Sequence, residues 1–313
     1  ITPLRRWMLD SIPMNLRISM GAGVGLFIGF IGLKNGGIIE ASGATFLTLG
    51  DFTSLSTLLA GFGFLLISVL SIRKIPGAII IGILAVTLLS NFLGLVKFDG
   101  IFALPPDVSP VFLKLDILGA LDITMLSIIM SFLFVNLFDT AGTLFGVASR
   151  AGLLSDSGDI KDLDKALKAD SSSSIFGSFL GCAPVTSYVE SSAGIEAGGR
   201  TGLTAVIVGL LFLLSTFLSP LAAVVPAYAT AGALIYVSIL MLGGMEKLEW
   251  KNQSELLPAL VMVVMIPLTF SIANGIALGF LSYVTIKTFT GEIKNISSGA
   301  WFLTFIFLAK FIF

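Results

Sequence analysis

The sequence predicts an all-α polytopic membrane protein whose site combines discontinuous half-helices with a short extended segment. Of its 313 residues, 56% are hydrophobic and only 12% are charged, whereas soluble domains carry about 25% charged residues. Four runs contain no charged residue: Phe52–Ile72, Ile75–Val96, Thr201–Met245 and Leu256–Ile286. Because a helix needs roughly 20 apolar residues to cross the hydrocarbon layer, these runs predict membrane-spanning helices rather than the core of a soluble protein.

The order of apolar runs and helix breakers predicts the elements along the chain. Three helices come first, a proline-containing loop follows at 97–121, and a fourth helix leads into a charged, solvated loop that ends at Asp170. A short helix, a break and a second short helix are predicted for 171–199. The tail Ser297–Phe313 is expected at the membrane interface. The predicted spans are about Met14–Leu33, Ser54–Ile72, Pro76–Val96, Ile123–Ala148, Leu203–Leu218, Ala227–Leu242 and two short helices within Leu256–Ile286, divided by Pro267 and Asn274.

Basic residues and glycines support this arrangement. Most Lys and Arg residues fall on the predicted cytoplasmic side, and only Lys34, Lys97 and Lys114 fall on the other, as the positive-inside rule requires. The stretches "GAGVGLFIGFIG" (21–32) and "ANGIALGF" (273–280) place small residues at helical spacing. They predict close helix packing, with a place on a substrate path as the alternative.

Composition excludes several kinds of site. The chain has no histidine and a single cysteine, Cys182. It therefore offers no imidazole relay, disulfide framework or cysteine metal cluster, and any proton transfer must use carboxylates. No phosphate-binding glycine motif is present, and the net charge of −1 disfavours nucleic acid as a partner. We expect no metal, cofactor or catalytic residue; an intramembrane enzyme and a structural membrane protein are the alternatives from other classes.

The stretch "GCAPVTSYVESSAGIEAGGRTG" (181–202) places a helix break and carboxylates between apolar segments. Pro184 ends a helix because it has no N–H and clashes with the preceding turn. Irregular backbone at membrane depth must be buried in protein or line a cavity, where half-helix ends present backbone dipoles to a substrate. Glu190 is therefore predicted in the first turn of the second half-helix, with a kinked helix and a paired Glu190 as the alternative. Glu196 and Arg200 are expected to form an ion pair or to be solvated.

A second membrane-embedded carboxylate is predicted in the fourth helix. Asp139 interrupts "SFLFVNLFDTAGTLFG", and Asn136 and Thr143 share its helical face. A charge at this depth costs about 2.5–3.5 kcal/mol on insertion scales, so Asp139 is expected to face a cavity, with a helix-to-helix contact as the alternative. For Asn136 and Thr143, a packing role and a role in the site are the two alternatives. The two carboxylates predict a division of labour, in which one binds N–H donors and the other exchanges a proton.

Four long motifs resemble one known family of transporters. They are "FVNLFDTAGTLFGVASRAGLL", "KALKADSSSS", "PVTSYVESSAGIEAGGRTGLTAV" and "PLTFSIANGIALGF". They resemble the AzgA-like purine permeases, which belong with the xanthine and uracil permeases to the nucleobase/ascorbate transporter superfamily. The resemblance extends over essentially the whole chain.

The resemblance implies a fold of two inverted seven-helix repeats, divided into a core domain and a gate domain. Residues 1–121 correspond to the last three helices of the first repeat, part of the gate domain. Residues 122–219 correspond to the core-domain helices of the second repeat with the substrate site, and 220–313 to its gate helices and C-terminal tail. By this comparison the first four helices of the family are missing, so half of the paired site is expected outside this chain.

The resemblance also implies roles for individual residues. Asp139 corresponds to the acidic residue that contacts the base or couples the proton, and Glu190 to the glutamate that binds ring and exocyclic N–H groups. The backbone and hydroxyls of Thr186, Ser187 and Tyr188 are expected to line the pocket. Asn136 and Thr143 are candidates for proton coupling beside Asp139 and Glu190, and both positions differ from some relatives. Uracil and xanthine relatives carry histidine or aspartate in place of Thr143, and many close relatives carry aspartate in place of Asn136.

The resulting prediction is a proton-coupled symporter in the plasma or inner membrane that imports adenine, guanine or hypoxanthine by alternating access. Its partners are then a purine base, a proton, the lipid bilayer and a possible second copy in a homodimer. The alternatives are a xanthine, uracil or anion carrier of the same fold. An anion carrier is disfavoured by the carboxylate at Glu190.

Overall fold

The structure is a computed structural model, and it describes residues 12–97, 100, 102–122, 125, 128–129, 132–133, 136, 140, 143–144, 147–148, 151–153, 160, 162–188, 191–196 and 198–312. Its longer elements are α1 (Met14–Asn35), β1 (Ile39–Ser42), β2 (Phe46–Leu49), α2 (Leu55–Ile72), α3 (Ala78–Phe92), α4 (Ile117–Ala120), α5 (Leu163–Phe179), α6 (Ser191–Glu196), α7 (Gly202–Ser215), α8 (Ser219–Val224), α9 (Ala227–Leu242), α10 (Gln253–Leu268), α11 (Ile272–Phe289) and α12 (Ser298–Ile312). Short 3-10 turns lie at Thr216–Leu218, Gly243–Lys247 and Ile293–Asn295.

The helical membrane class is confirmed. In the described part of the chain, four segments are long and apolar enough to cross a membrane: Met14–Asn35, Leu55–Ile72, Gly202–Val224 and Ala227–Lys247. One feature has no signal in the sequence, an antiparallel hairpin in which β1 pairs with β2 from Ile39 opposite Leu49. Its four-residue strands are too short to give a periodic signal.

One predicted boundary is wrong. The charged loop was expected to extend to Asp170, but α5 already begins at Leu163. The segment "LDKALKAD" is rich in residues of high helix propensity, and Leu167 is buried on one face of the new turns. Asp170 is therefore a helical residue, and the first of the two predicted half-helices is longer than expected.

The chain divides into two compact units. One contains the described residues of Ile1–Gly21, Asp107–Gly209 and Lys247–Phe313, and the other contains Ala22–Pro106 and Leu210–Glu246. The predicted division at 1–121, 122–219 and 220–313 stays a prediction.

In the unit that contains Ala22–Pro106, helices approach closely at glycines. A Cβ on Gly232 of α9 would lie 2.5 Å from the backbone nitrogen of Phe64 on α2, and a Cβ on Gly29 of α1 would collide with Ser238 of α9. The contact at Gly29 confirms the close packing predicted for the first glycine stretch, because a residue without Cβ lets the helices come this near.

In the other unit, α10 and α11 are joined by a tight turn. Phe270 has φ +51°, and the Ser271 side chain accepts a hydrogen bond from the Asn274 backbone N–H to begin α11. A Cβ on Gly275 would lie 2.6 Å from the backbone nitrogen of Ile266. The predicted pair of short helices is confirmed, and the second glycine stretch also serves close packing.

Candidate functional site

The predicted break lies between α5 and α6. α5 ends at Phe179, Gly181 has φ +76°, and residues 182–188 are neither helix nor strand. Ser174 on α5 fixes this segment, because its Oγ donates to the Val185 carbonyl at 2.9 Å and accepts from the Val185 N–H at 3.1 Å. One side chain thus satisfies both backbone groups of a residue outside regular structure, as backbone at membrane depth requires.

Two hydroxyl pairs join this extended segment to the predicted fourth helix. Thr140 Oγ1 lies 3.0 Å from Thr186 Oγ1, and Thr143 Oγ1 lies 2.5 Å from Ser187 Oγ. Thr140 and Thr143 are helical and one turn apart, so they share a face. The structure therefore brings together three residues that the sequence predicted separately, Thr143, Thr186 and Ser187.

Thr140 is the centre of this network, although the sequence analysis did not single it out. Its side chain is fully buried, and its Oγ1 lies 3.1 Å from Asn136 Oδ1 and 3.3 Å from Asp170 Oδ1. Both of those oxygens accept, and a hydroxyl has one proton to donate. Thr140 therefore donates to Asn136 or Asp170 and accepts from Thr186. We refer to Asn136, Thr140, Thr143, Asp170, Thr186 and Ser187 as the hydroxyl network.

Asp170 also enters the site against expectation. The prediction of a solvated loop is wrong for this residue, because α5 places it half-buried against Thr140. Thr140 and Asp170 both lie within the motifs that resemble the permease family, "FDTAGT" for Thr140 and "KALKADSSSS" for Asp170. Their chemical partners could be found only in three dimensions, because 30 residues separate them.

The remaining predicted site residues have different outcomes. Tyr188 is described, and its side chain is 65% exposed rather than enclosed. Asp139 and Glu190 lie outside the described residues, so their roles stay predictions. The side chain of Glu196 also lies outside the described part, and Arg200 donates to the Ala151 carbonyl at 3.4 Å.

The chemistry available in the hydroxyl network is hydrogen bonding. In the Thr143–Ser187 pair either oxygen can donate or accept, so this pair can offer both to a bound molecule. No group of three or more His, Cys, Asp or Glu suited to a metal ion occurs among the described residues.

Comparison with known proteins identifies the kind of chain to which this site belongs. The profile of the Permease family matches residues 1–278. The adenine permeases AdeP and AdeQ of Escherichia coli (strain K12) are 46% and 45% identical over 99% of this chain and 70% of their own length. The guanine/hypoxanthine permease PbuG of Bacillus subtilis (strain 168) is 39% identical over 100% of this chain and 72% of its own length.

These matches confirm the resemblance to the AzgA-like purine permeases. They agree with the membrane-spanning helices found among the described residues. The chain is a multi-pass membrane transporter rather than an enzyme, and it belongs to the Permease family.

Proposed function

We propose that this protein is a proton-coupled symporter. It imports purine bases (adenine, guanine or hypoxanthine) across the plasma or inner membrane by alternating access. The printed names of the relatives, adenine permease and guanine/hypoxanthine permease, support the substrate class. Their identity extends over nearly the whole chain, including both segments that the hydroxyl network joins.

The observation on which this proposal depends is the pairing of Thr140 with Thr186 and of Thr143 with Ser187. Asp139 directly precedes Thr140 in the sequence, and Glu190 follows two residues after Tyr188. The pairing therefore draws together the two segments that contain the predicted carboxylates. A purine edge offers adjacent N–H donors and ring-nitrogen acceptors, which a carboxylate and nearby hydroxyls can satisfy together.

We assign the roles within this site as follows. Glu190 binds the N–H groups of the base, and Thr186, Ser187 and Tyr188 line the pocket with hydroxyls and irregular backbone. Asp139 contacts the base or accepts the coupled proton. Asp170 lies within hydrogen-bonding distance of Thr140, which adds a third carboxylate that can hold the coupled proton. Asn136 and Thr143 are the further candidates for coupling.

Uptake of labelled hypoxanthine and adenine tests the substrate assignment. Cells without their own purine permeases would express the full-length protein, its Glu190→Gln and Asp139→Asn variants, and Glu246→Gln as the control. Glu246 is an exposed glutamate in a 3-10 turn. Loss of a charge-assisted hydrogen bond costs about 1.5–3 kcal/mol, so Glu190→Gln is expected to lower uptake at least about tenfold. Unchanged uptake in both site variants would end the assignment.

Coupling to protons is tested separately. Uptake is expected to fall when a protonophore removes the proton gradient and to rise as the external pH is lowered. If neither treatment changes uptake, the protein is not a proton symporter, although it still transports bases. Competition by xanthine and uracil separates the purine assignment from its nearest alternatives, since neither is expected to displace hypoxanthine at equal concentration.

A further inference from the structure

A turn formed by residues 107–114, here called the outer turn, is held in shape by its own hydrogen bonds. The two carboxylate oxygens of Asp107 accept from the Ser109 backbone N–H at 2.9 Å and from the Ser109 Oγ at 2.7 Å. These bonds, that from the side chain first, lower the pKa of the Asp107 carboxyl, so it stays a charged acceptor. The Val108 carbonyl then accepts from the N–H groups of Val111 and Phe112 at 3.1 and 2.9 Å. The outer turn is therefore a defined structure rather than a loose connection.

The outer turn contacts the end of α5 through its backbone. The Leu113 N–H donates to the carbonyl of Phe179 at 2.9 Å, and Phe179 is the last residue of α5. The last carbonyls of a helix have no partner within the helix, so this bond completes the helix end. Leu113 has φ +55°, which leucine rarely adopts. Such a conformation persists where the surrounding structure requires it, and here it occurs at the point of contact with α5.

The outer turn also contacts α5 through the side chain of Val111. Gly181 has φ +76°, and a Cβ on it would lie 2.7 Å from the Cβ of Val111 and 2.8 Å from its Cγ2. Val111 therefore fills the space that a side chain at position 181 would need. Because Gly181 directly precedes the extended segment 182–188, this contact fixes the direction in which the chain leaves α5.

The extended segment leads from this contact to the hydroxyl network. Val185 is held by Ser174, and the next two residues, Thr186 and Ser187, pair with the hydroxyls of the predicted fourth helix. Backbone outside regular secondary structure takes its position from contacts of this kind. The outer turn therefore fixes the start of the segment, Ser174 its middle and the hydroxyl pairs its end, and all of these residues belong to one compact unit.

We propose that the outer turn positions the substrate-binding segment, and that Val111 is a positioning residue that sets the affinity for the imported base. This rests on the proposed function, which places the base against residues 186–188. The basic residues predict that the turn, which carries Lys114, faces the outside, the side from which a base is imported. A segment that is ordered before binding gives higher affinity, because less ordering accompanies binding. Losing the Val111 contact should therefore weaken binding and leave the rate of the transport cycle unchanged.

The kinetics of hypoxanthine uptake test this inference. Val111→Ala removes the methyl groups beside Gly181, and because Val111 is 48% exposed the variant should fold. The KM is expected to rise about three- to tenfold, the size expected when binding must order one or two more side chains, with the maximal rate and the melting temperature unchanged. Val111→Ile keeps Cβ and both Cγ atoms and should restore the wild-type KM. Val108→Ala is the matched control, since Val108 is in the same turn and 53% exposed, and it should have no effect.

The position of the segment can also be measured without a substrate. Cys182 is exposed and directly follows Gly181. Its rate of alkylation by N-ethylmaleimide, followed by mass spectrometry of the peptide that contains it, should rise several-fold in Val111→Ala and stay unchanged in Val108→Ala. The inference is overturned if Val111→Ala leaves either the KM or the alkylation rate at its wild-type value, or if Val108→Ala changes both equally.

The two measurements separate this inference from the proposed function. Purine uptake by the wild type together with an unchanged KM in Val111→Ala would overturn the inference and leave the proposed function intact. Absence of purine uptake by the wild type together with faster alkylation in Val111→Ala would end the proposed function, while the outer turn would still be the element that positions this segment.

Discussion

Replacing Lys287 by methionine should destabilise the protein strongly. The lysine is 3% exposed near the end of α11, and its ammonium pairs with Glu255 on α10 and with Glu292 beyond the helix end. Its Nζ also lies over the Tyr283 ring, 5.2 Å from the ring centroid. Methionine keeps most of the apolar length but removes the charge, so the change removes the ion pairs together with this cation–π contact.

The expected magnitude follows from the burial of the partners. Removing one member of a buried ion pair costs about 3–5 kcal/mol, because the other charge is left in a poorly solvated place. The Glu255 side chain is 16% exposed, so water can reach part of it. We therefore expect the low end of that range, about 3 kcal/mol for Lys287→Met.

Reversible denaturant unfolding of the purified protein in detergent measures this loss. The double variant Lys287→Met/Glu255→Leu removes both charges, and it should recover most of the stability because an apolar pair replaces the ion pair at little cost. Lys294→Met, an exposed lysine on the same side, should change stability by less than about 0.5 kcal/mol. A Lys287→Met protein as stable as the control, or a double variant less stable than the single one, would refute the reasoning.

Three further predictions concern other parts of the structure. Thr140→Val keeps the shape but removes the central hydroxyl of the network, and it should weaken hypoxanthine binding about 10-fold or more in equilibrium dialysis without lowering the yield of folded protein. Gly232→Ala places a methyl group against the α2 backbone and should lower stability by about 1–3 kcal/mol, whereas Gly61→Ala, whose Cβ would meet nothing within 4 Å, should not; similar melting temperatures would contradict this. The pKa of the Glu292 carboxyl is lowered in the folded protein. The charged carboxylate therefore stabilises the protein above the ordinary pKa of 4.5, and this contribution is lost as the pH falls through the lower folded-state pKa. The difference in melting temperature between the wild type and Glu292→Gln should accordingly shrink towards zero in acid.

The order of the helices could be predicted from the sequence because each long apolar run has a clear beginning and end. The boundary at α5 could not, since the charged segment before Asp170 looks equally suited to a solvated loop. Burial of Leu167 favours the helical form of this segment, and that burial depends on a tertiary contact. The hairpin at Ile39–Leu49 was missed for the related reason that short strands depend on their partner rather than on periodicity.

The site could be predicted only in part. Thr186, Ser187 and Thr143 were found from a helix break and from the face that Thr143 shares with Asp139, and the structure brings these three together. Thr140 and Asp170 have no distinguishing pattern of their own, because threonine is ordinary in a helix and aspartate is ordinary in a charged segment. Lys287 was missed for the same reason: its partner Glu255 lies more than 30 residues away.

The hydroxyl network and the Lys287 ion pair lie in the same compact unit, but they use different kinds of contact. The difference fits two tasks, binding a substrate and holding helices together. The hydroxyl pairs join neutral groups, so exchanging one partner for a ligand costs only about 0.5–1.5 kcal/mol per bond. The Lys287 pair joins full charges in a buried place, where separation costs several times as much. A surface that must release and rebind substrate in every cycle requires the first kind of contact. A junction between helices that must keep its geometry through the same cycle requires the second, so ligand binding should rearrange the hydroxyl network and leave Lys287 paired with Glu255.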